Sequence, residues 1–378
     1  MAQNKPNVLI TGGAGFIGSR LCAKLSGTHD VTVFDNFHPQ VHDGNPENRE
    51  RLAEHGITVI EGDMRDRDAL RAAVETVNPT LIYHLAAETG TGQSFDLPAR
   101  YTDVNVMGTA HLIEAVRELS PATGRIILAG SRSVYGEGAC VDAEGRPTAA
   151  IERTGEDMAK GDFAPKDRDG NTLTPVATNA DCVVAPASIY ASTKLMQEYM
   201  LRQAFWGTGV EVGILRLQNV YGPGQSLNNP YTGVLSIFCR QIQEGKTLNI
   251  FEDGEITRDF VLVDDVVNAF AMMGTVADMP MDILDIGSGE AATILDVAGV
   301  LLNLLGEPTD KLTITGQFRP GDIRYALADT ARSRSQLGWA PQVSLREGLE
   351  KLSQWSQETM KKEKSLQSEG FANEIGGH

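Results

Sequence analysis

Positive charge is in short supply in this 378-residue sequence: 33 Lys and Arg stand against 50 Asp and Glu, a net charge of −17. Surfaces that grip nucleic acid or an anionic membrane need clustered cations to neutralise phosphates, so neither is an expected partner. Any phosphate-bearing ligand must be held locally. Cysteine is scarce as well: Cys22, Cys140, Cys182 and Cys239 form no C-x-x-C pair, fit reduced thiols better than a disulfide framework, and leave no evident metal site. No apolar run reaches membrane-spanning length, and the polar start Met1-Ala2-Gln3-Asn4-Lys5 has no signal-peptide core, so a cytoplasmic protein is expected. No internal repeat is evident. With 41% apolar and 22% charged residues the chain reads as an ordinary globular protein, long enough for one large or two coupled domains.

What is abundant is glycine, 39 residues, and its placement near the start is informative. The apolar run Val8-Leu9-Ile10 breaks into Gly12, Gly15 and Gly18 and then into an amphipathic segment over 19–25, which reads as strand, tight turn and helix. Glycines at that spacing permit a sharp turn, a close backbone approach to a pyrophosphate and tight helix–strand packing, while the helix N-terminus offers free N–H groups. The run Val31-Thr32-Val33-Phe34 ends in Asp35, where an acid would hold the adenosine ribose hydroxyls, and Thr58-Val59-Ile60 is followed by Asp63, at a position where an acid reaches the adenine in related sites. Asp35 repels a 2′-phosphate and no Arg follows it directly in Asn36-Phe37, so the expected cofactor is NAD rather than NADP.

The alternation continues, with helices expected over 69–77 and 104–119 and buried strands over 81–85 and 125–129. Strands separated by helices at this spacing predict a doubly wound parallel α/β sheet, with ligands beyond the carboxyl ends of its strands. The small, polar stretch 86–94 falls at such an end and reads as site wall. His84, on a buried strand, reads as a satisfied core histidine.

Two features, one of them at a strand end, carry the chemistry. One is Gly130-Ser131-Arg132-Ser133-Val134-Tyr135-Gly136; the other is Ser188-Ile189-Tyr190-Ala191-Ser192-Thr193-Lys194, followed by a helical pattern through 205. On a helix Tyr190 and Lys194 share a face. A free phenol titrates near pH 10, so its use as a base near neutrality needs roughly 4 kcal/mol of phenolate stabilisation, which a fixed ammonium and a positive nicotinamide ring can supply.

From about residue 7 to about residue 352 this sequence resembles the extended short-chain dehydrogenase/reductase family, in its nucleotide-sugar epimerase and dehydratase branch. The resemblance implies that Tyr190 is the general base, that Lys194 lowers its pKa and holds the nicotinamide ribose, and that Ser131 bonds the reacting hydroxyl, with Ser133 a second hydroxyl within reach. It implies a cofactor site of Gly12, Gly15, Phe16, Ile17, Gly18, Asp35, Asn36, Asp63, Met64, Leu85, Ala86 and Ala87 together with Tyr190 and Lys194. On the substrate side it places Asn219 on the sugar diphosphate, Phe251 on the nucleotide base, Arg258 and Arg319 as a diphosphate clamp and Asp322 on a ribose, with Thr89, Ser131 and Val234 also lining the site. Two guanidinium forks would supply local positive charge. The family's dehydratases carry Asp-Glu after the Ser or Thr; Arg132-Ser133 stands here, which disfavours elimination.

The resemblance also implies a Rossmann domain over 1–218, with a surface insertion at about 140–182, and a smaller C-terminal α/β substrate domain over 219–358, of which about 258–290 returns to the first. A flexible tail is expected from 359. The insertion, together with 86–94 and 229–234, looks most like the bacterial dTDP-L-rhamnose 4-epimerases of that branch. Some relatives carry a cysteine-rich knuckle in the insertion, which Cys140 and Cys182 alone do not complete, so no zinc is expected. The expectation is an NAD-dependent 4-epimerase of a dTDP- or UDP-sugar, and a homodimer formed through helices around 104–119 and 188–205. A 4,6-dehydratase, a 4-keto reductase and a non-catalytic NAD-binding protein are the alternatives.

Overall fold

The computed structural model describes residues 5–42, 46–229, 233–319 and 321–375, and side chains as far as Ser365. Pro230, Tyr231 and Thr232 of the stretch 229–234, Pro320, and Gly376-Gly377-His378 of the expected tail lie outside the described residues. In chain order the strands are β1 (Asn7–Thr11), β2 (Asp30–Asp35), β3 (Thr58–Glu61), β4 (Leu81–His84), β5 (Arg125–Ser131), β6 (Cys140–Val141), β7 (Thr174–Pro175), β8 (Glu211–Leu217), β9 (Asn219–Tyr221), β10 (Leu248–Ile250), β11 (Thr257–Leu262), β12 (Ile283–Ile286), β13 (Ala291–Thr293) and β14 (Leu312–Ile314). Seven of them form one parallel sheet in the order β12-β8-β5-β4-β1-β2-β3.

The chain therefore crosses from β3 to β4 over β1, and the sheet's topological switch lies beside β1, at the carboxyl edge where Thr11 pairs with His84. Open α/β sheets leave a crevice there. Residues Val8, Ile10, Val33 and Tyr83 pack on one face of the sheet with the helix Val263–Thr275, and Leu9, Ile82, Ile126 and Leu128 pack on the other. Both faces are covered, which is why these strands are nearly continuous apolar runs.

A second core, built from Phe238, Ile242, Ile250, Phe260, Leu301 and Leu352, gathers β9, β10, β11, β13 and β14 with three helices. β11 pairs with β9 in this smaller assembly, whereas Val263–Thr275 and β12 return to the large sheet. The two assemblies share the polypeptide of residues 217–219, where β8 passes into β9. No helix among the described residues is long and apolar enough to cross a membrane.

Three details depart from the sequence reading. The expected helix over 104–119 is α-helical only from Gly108 to Leu119, and Thr102–Met107 forms a π-helical turn. The extra residue in that turn lets the buried Asn105 side chain accept from the Glu88 N–H at 2.8 Å and donate to the Glu88 carbonyl at 3.1 Å and to Thr193 Oγ1 at 2.9 Å. The insertion has a core of its own, with Cys140, Met158, Phe163 and Leu173 buried around the β6–β7 pair and the short helix Gly155–Ala159. The last helix runs through the expected tail to Ile375, because Met360 is buried and Glu363 pairs with Arg240 at 3.6 Å.

Candidate active site

The glycine turn is tight because the chain passes close to itself. Gly12 has φ +70°, and a Cβ there would sit 2.6 Å from the Ala86 backbone nitrogen; at Gly18 it would sit 2.5 Å from the Gly12 carbonyl oxygen. Only glycine fits either place. The helix Phe16–Leu25 consequently starts against β1 with no side-chain cap on Gly15, so its first N–H groups face outward. Asp35, at the end of β2, accepts from the Ala14 N–H at 3.0 Å and the Phe37 N–H at 2.9 Å, which fixes its carboxylate beside the turn. Asp63 accepts from Asn36 at 3.0 Å and from both ends of the Arg65 fork at 2.9 and 2.7 Å; those bonds hold its carboxyl well below the usual carboxylate range.

These residues line one cleft of about 440 Å³ that includes Gly12, Gly15, Phe16, Ile17, Gly18, Asp35, Asn36, Asp63, Met64, Leu85, Ala86 and Ala87, and further along Thr89, Ser131, Tyr190, Lys194, Asn219 and Val234. All twelve residues expected of the cofactor site in the cradle and the neighbouring strand ends thus share one wall. A smaller cavity of about 190 Å³ adjoins it, lined by Thr91, Arg132, Ser133, Arg258 and Asp322, and the two have Ser131, Tyr190, Gln218 and Asn219 in common. Tyr190 stands where they meet.

The helix Ile189–Ala204 begins with Ser188, whose hydroxyl accepts from the Ala191 N–H at 3.1 Å, so the chain turns helical one residue before Tyr190. Burial pushes the Tyr190 phenol up, and its hydrogen bond with Ser131 pulls the other way. Ser133 donates from Oγ to Ser131 Oγ at 2.9 Å, joining the two hydroxyls. Lys194 is buried, and desolvation lowers its ammonium to about 8 despite the nearby Glu198 carboxylate. Glu198 is itself held by the Arg216 fork at 3.0 and 2.6 Å. One turn later Gln197 donates to Thr109, which sits 2.9 Å from His84 Nε2, while His84 Nδ1 meets Thr11 at 2.7 Å. Burial takes His84 down to about 3, so it is a neutral, satisfied core histidine, as its position on β4 led one to expect.

The substrate-side residues are not all brought together. Arg258 donates to Asp322 at 2.6 Å and to the Thr257 and Ile323 carbonyls at 2.9 Å each. Arg319 instead lies over the Phe251 ring, 4.6 Å from its centroid, and neither residue lines the two cavities. Residues the sequence reading passed over hold this side in place. Arg153, from the insertion, donates to Glu137 at 2.9 Å, to both Glu252 oxygens at 2.9 and 3.0 Å and to the Asp322 carbonyl at 2.8 Å. Arg324 bonds Glu252 at 3.0 Å and Asp253 at 2.6 and 2.8 Å. Nothing in the local sequence marks Arg153, whose partners are up to 169 positions away.

Chemically, the arrangement offers a cradle for a dinucleotide, a phenol, a serine hydroxyl and a buried ammonium lining the same cleft, and a second cavity for the group to be oxidised or reduced. Comparison with known proteins agrees. Residues 9–149 match the family model described as GDP-mannose 4,6 dehydratase, and residues 162–287 match that of the NAD dependent epimerase/dehydratase family. The chain is 42% identical to dTDP-L-rhamnose 4-epimerase of Burkholderia thailandensis, over 92% of this chain and 94% of that protein. It is 32% identical to UDP-glucose 4-epimerase of Mycolicibacterium smegmatis, over 91% and 96%. The fold is similar to that of UDP-glucuronic acid 4-epimerase of Bacillus cereus in complex with UDP-glucuronic acid and NAD, with a TM-score of 0.74, 26% identity and coverage of 93% and 99%.

Proposed function

The chain belongs to the NAD-dependent epimerase/dehydratase family, and we infer from that membership and from the cleft that it is an NAD-dependent nucleotide-sugar 4-epimerase. The observation that carries the reading is the position of Tyr190, which with Ser131 lines both the dinucleotide cleft and the adjoining second cavity. NAD fits the cradle on the evidence of the chain itself: the turn closes so tightly that a Cβ at Gly12 or Gly18 would strike its backbone, both glycines line the cleft, and Asp35 is fixed at the end of β2, where the ribose hydroxyls belong. We assign the cofactor site to the twelve cradle and strand-end residues named above with Tyr190 and Lys194. The large sheet is the cofactor domain, and the smaller assembly that starts at Asn219 is the substrate domain.

In this reading Ser131, assisted by Ser133, holds the sugar O4 hydroxyl, and Tyr190 takes its proton. Lys194 supplies a positive charge beside the phenolate. The cradle residues with Tyr190 and Lys194 would hold NAD⁺, which would supply a hydride acceptor and donor for C4, so that no second redox substrate would be consumed. Asn219, Arg258 and Asp322 face the diphosphate and ribose. Phe251 takes the base once Arg319 leaves the ring for the phosphates, and Thr89 and Val234 close the walls. Arg132 stands where a dehydratase needs an acid, which argues against the 4,6-elimination.

The 42% identity supports dTDP-L-rhamnose as the sugar nucleotide. The cytoplasm, where sugar nucleotides are made, is the proposed location. A homodimer is supported by Met107, Met196 and Tyr199, which are exposed on the two expected interface helices; size-exclusion chromatography with light scattering should give twice the chain mass. The deciding experiment incubates the purified protein with dTDP-L-rhamnose, and separately with UDP-sugars, without added reductant, and follows the products by NMR. A C4 epimer approaching equilibrium without NADH consumption is expected. Accumulation of a keto sugar would replace the epimerase reading by dehydratase or oxidase chemistry.

A further inference from the structure

Buried polar atoms without partners are concentrated beside the reacting centre. Among the described residues eight buried side-chain nitrogens and oxygens have no hydrogen-bond partner, and four of them belong to two residues: Nε and Nη1 of Arg132, and Oε1 and Nε2 of Gln218. Arg132 is 6% exposed and Gln218 5%, and both line the smaller cavity with Ser131 and Tyr190. An unpaired buried donor or acceptor costs on the order of 1–3 kcal/mol, so four on two residues that line one cavity call for a polar partner there.

Their juxtaposition follows from the sheet. β5 and β8 are parallel neighbours with Ser131 opposite Leu217, so the residues that follow those two positions, Arg132 and Gln218, leave the strand ends side by side. Arg132 remains a cation, since burial lowers it only to about 10, and its Nη2 is already committed to the Gly136 carbonyl at 3.0 Å. Gln218 has little room to turn away: a Cβ at Gly287 would stand 2.7 Å from its Cγ, so only glycine leaves space for it.

The free groups are N–H donors on Arg132, N–H donors on Gln218 and one carbonyl acceptor on Gln218. A phosphate or carboxylate accepts only and leaves Oε1 unpaired. A pair of neighbouring hydroxyls both gives and takes, and satisfies all four atoms. Resting on the epimerase reading, we propose that Arg132 and Gln218 form the sugar subsite, binding adjacent hydroxyls of a neutral hexose ring while Ser131 and Tyr190 engage O4. The two are specificity-determining residues rather than acid or base.

The test compares ligands with and without the sugar on the NAD-loaded enzyme. Calorimetry gives Kd for dTDP-L-rhamnose, UDP-glucose, UDP-glucuronate, dTDP and UDP in the wild type, Gln218→Leu, Arg132→Met and the conservative Arg132→Lys, with NAD content as the check on folding. Gln218→Leu and Arg132→Met are expected to weaken the neutral sugar nucleotide at least tenfold and the bare nucleotide less than twofold, with Arg132→Lys intermediate. Should Arg132→Met fail to fold, Gln218→Leu and Arg132→Lys carry the comparison. Equal losses for both kinds of ligand, or no loss, would overturn the subsite, as would a wild type that gains nothing from the sugar. Tighter binding of UDP-glucuronate than of UDP-glucose that vanishes in Arg132→Met would overturn it in favour of a carboxylate site. Wild-type epimerisation is scored separately, so failure of the epimerase reading and failure of the subsite are distinguishable.

Discussion

The two walls of the cleft are made by different means. The wall proposed for the cofactor is backbone folded on itself: Gly12, Gly15 and Gly18 lie within seven residues, and Asp35 is tied to Ala14, 21 positions away. The wall proposed for the substrate is held by side-chain ions from distant segments, with Arg258 and Asp322 64 positions apart and Arg153 reaching Glu252 across 99. A wall made of local turns is specified by a short motif. A wall made of long-range ion pairs depends on the whole chain having folded.

The sharpest test falls where the walls meet. Tyr190→Phe keeps the ring and its edge contact with Tyr101 at 6.4 Å but removes the proton acceptor; kcat should fall about 10³-fold or more, with NAD content and sugar-nucleotide Kd within threefold of wild type. Retained turnover would take Tyr190 out of the mechanism. Arg153→Ala should then separate the walls. Its side chain is 3% exposed and its loss leaves the buried Glu252 with Arg324 as its remaining ion-pair partner, which should cost about 3 kcal/mol by chemical denaturation and raise KM for the sugar nucleotide about tenfold while bound NAD is unchanged. Loss of NAD in that variant would show the walls to be one unit.

Gly12→Ala is the reciprocal variant. A Cβ against the Ala86 backbone at φ +70° should cost about 1–3 kcal/mol or more and empty the cofactor site, read as the 260/280 nm absorbance ratio of the purified protein. A smaller effect is expected from pH on stability. His84 is buried neutral, down at about 3 against an ordinary 6.5, so the unfolded chain binds its proton more readily; the contribution is whole above pH 6.5 and is lost as pH falls toward 3. About 2 kcal/mol should be gone by pH 5, and His84→Gln should flatten that slope in denaturation midpoints. The smallest effect is catalytic: desolvation lowers Lys194 to about 8, so kcat should decline about twofold between pH 8 and 8.5 as its ammonium, and with it the support for the phenolate, is lost. A flat profile to pH 9 would mean that Lys194 stays charged in the loaded enzyme.

The same contrast explains what could be read in advance. The cradle, Asp35, Asp63 and the Tyr190–Lys194 pair were legible because each rests on period, spacing or a turn that neighbouring residues dictate. Five of the seven parallel strands, β1 to β5, followed from apolar runs alternating with helices, whereas β8 and β12 were not read from that pattern. The π-helical turn at Thr102–Met107 was not legible, since it exists to bring Asn105 to Glu88 and Thr193, and Thr193 is 88 positions away. The insertion read as a surface excursion because Met158, Phe163 and Leu173 are too sparse to show a period, yet together they close a core.

Sequence alone determined the doubly wound sheet, its dinucleotide turn and the residues at the strand ends, because hydrogen bonding within a strand–turn–helix unit and the burial period of its faces act over a few residues. Only the tertiary structure decided which charges pair, that Arg153 anchors the Asp322 loop, that Arg319 covers Phe251, and that Arg132 and Gln218 are left unsatisfied side by side. Those outcomes depend on distances between segments far apart in the chain and on desolvation, and both arise only once the two cores have packed.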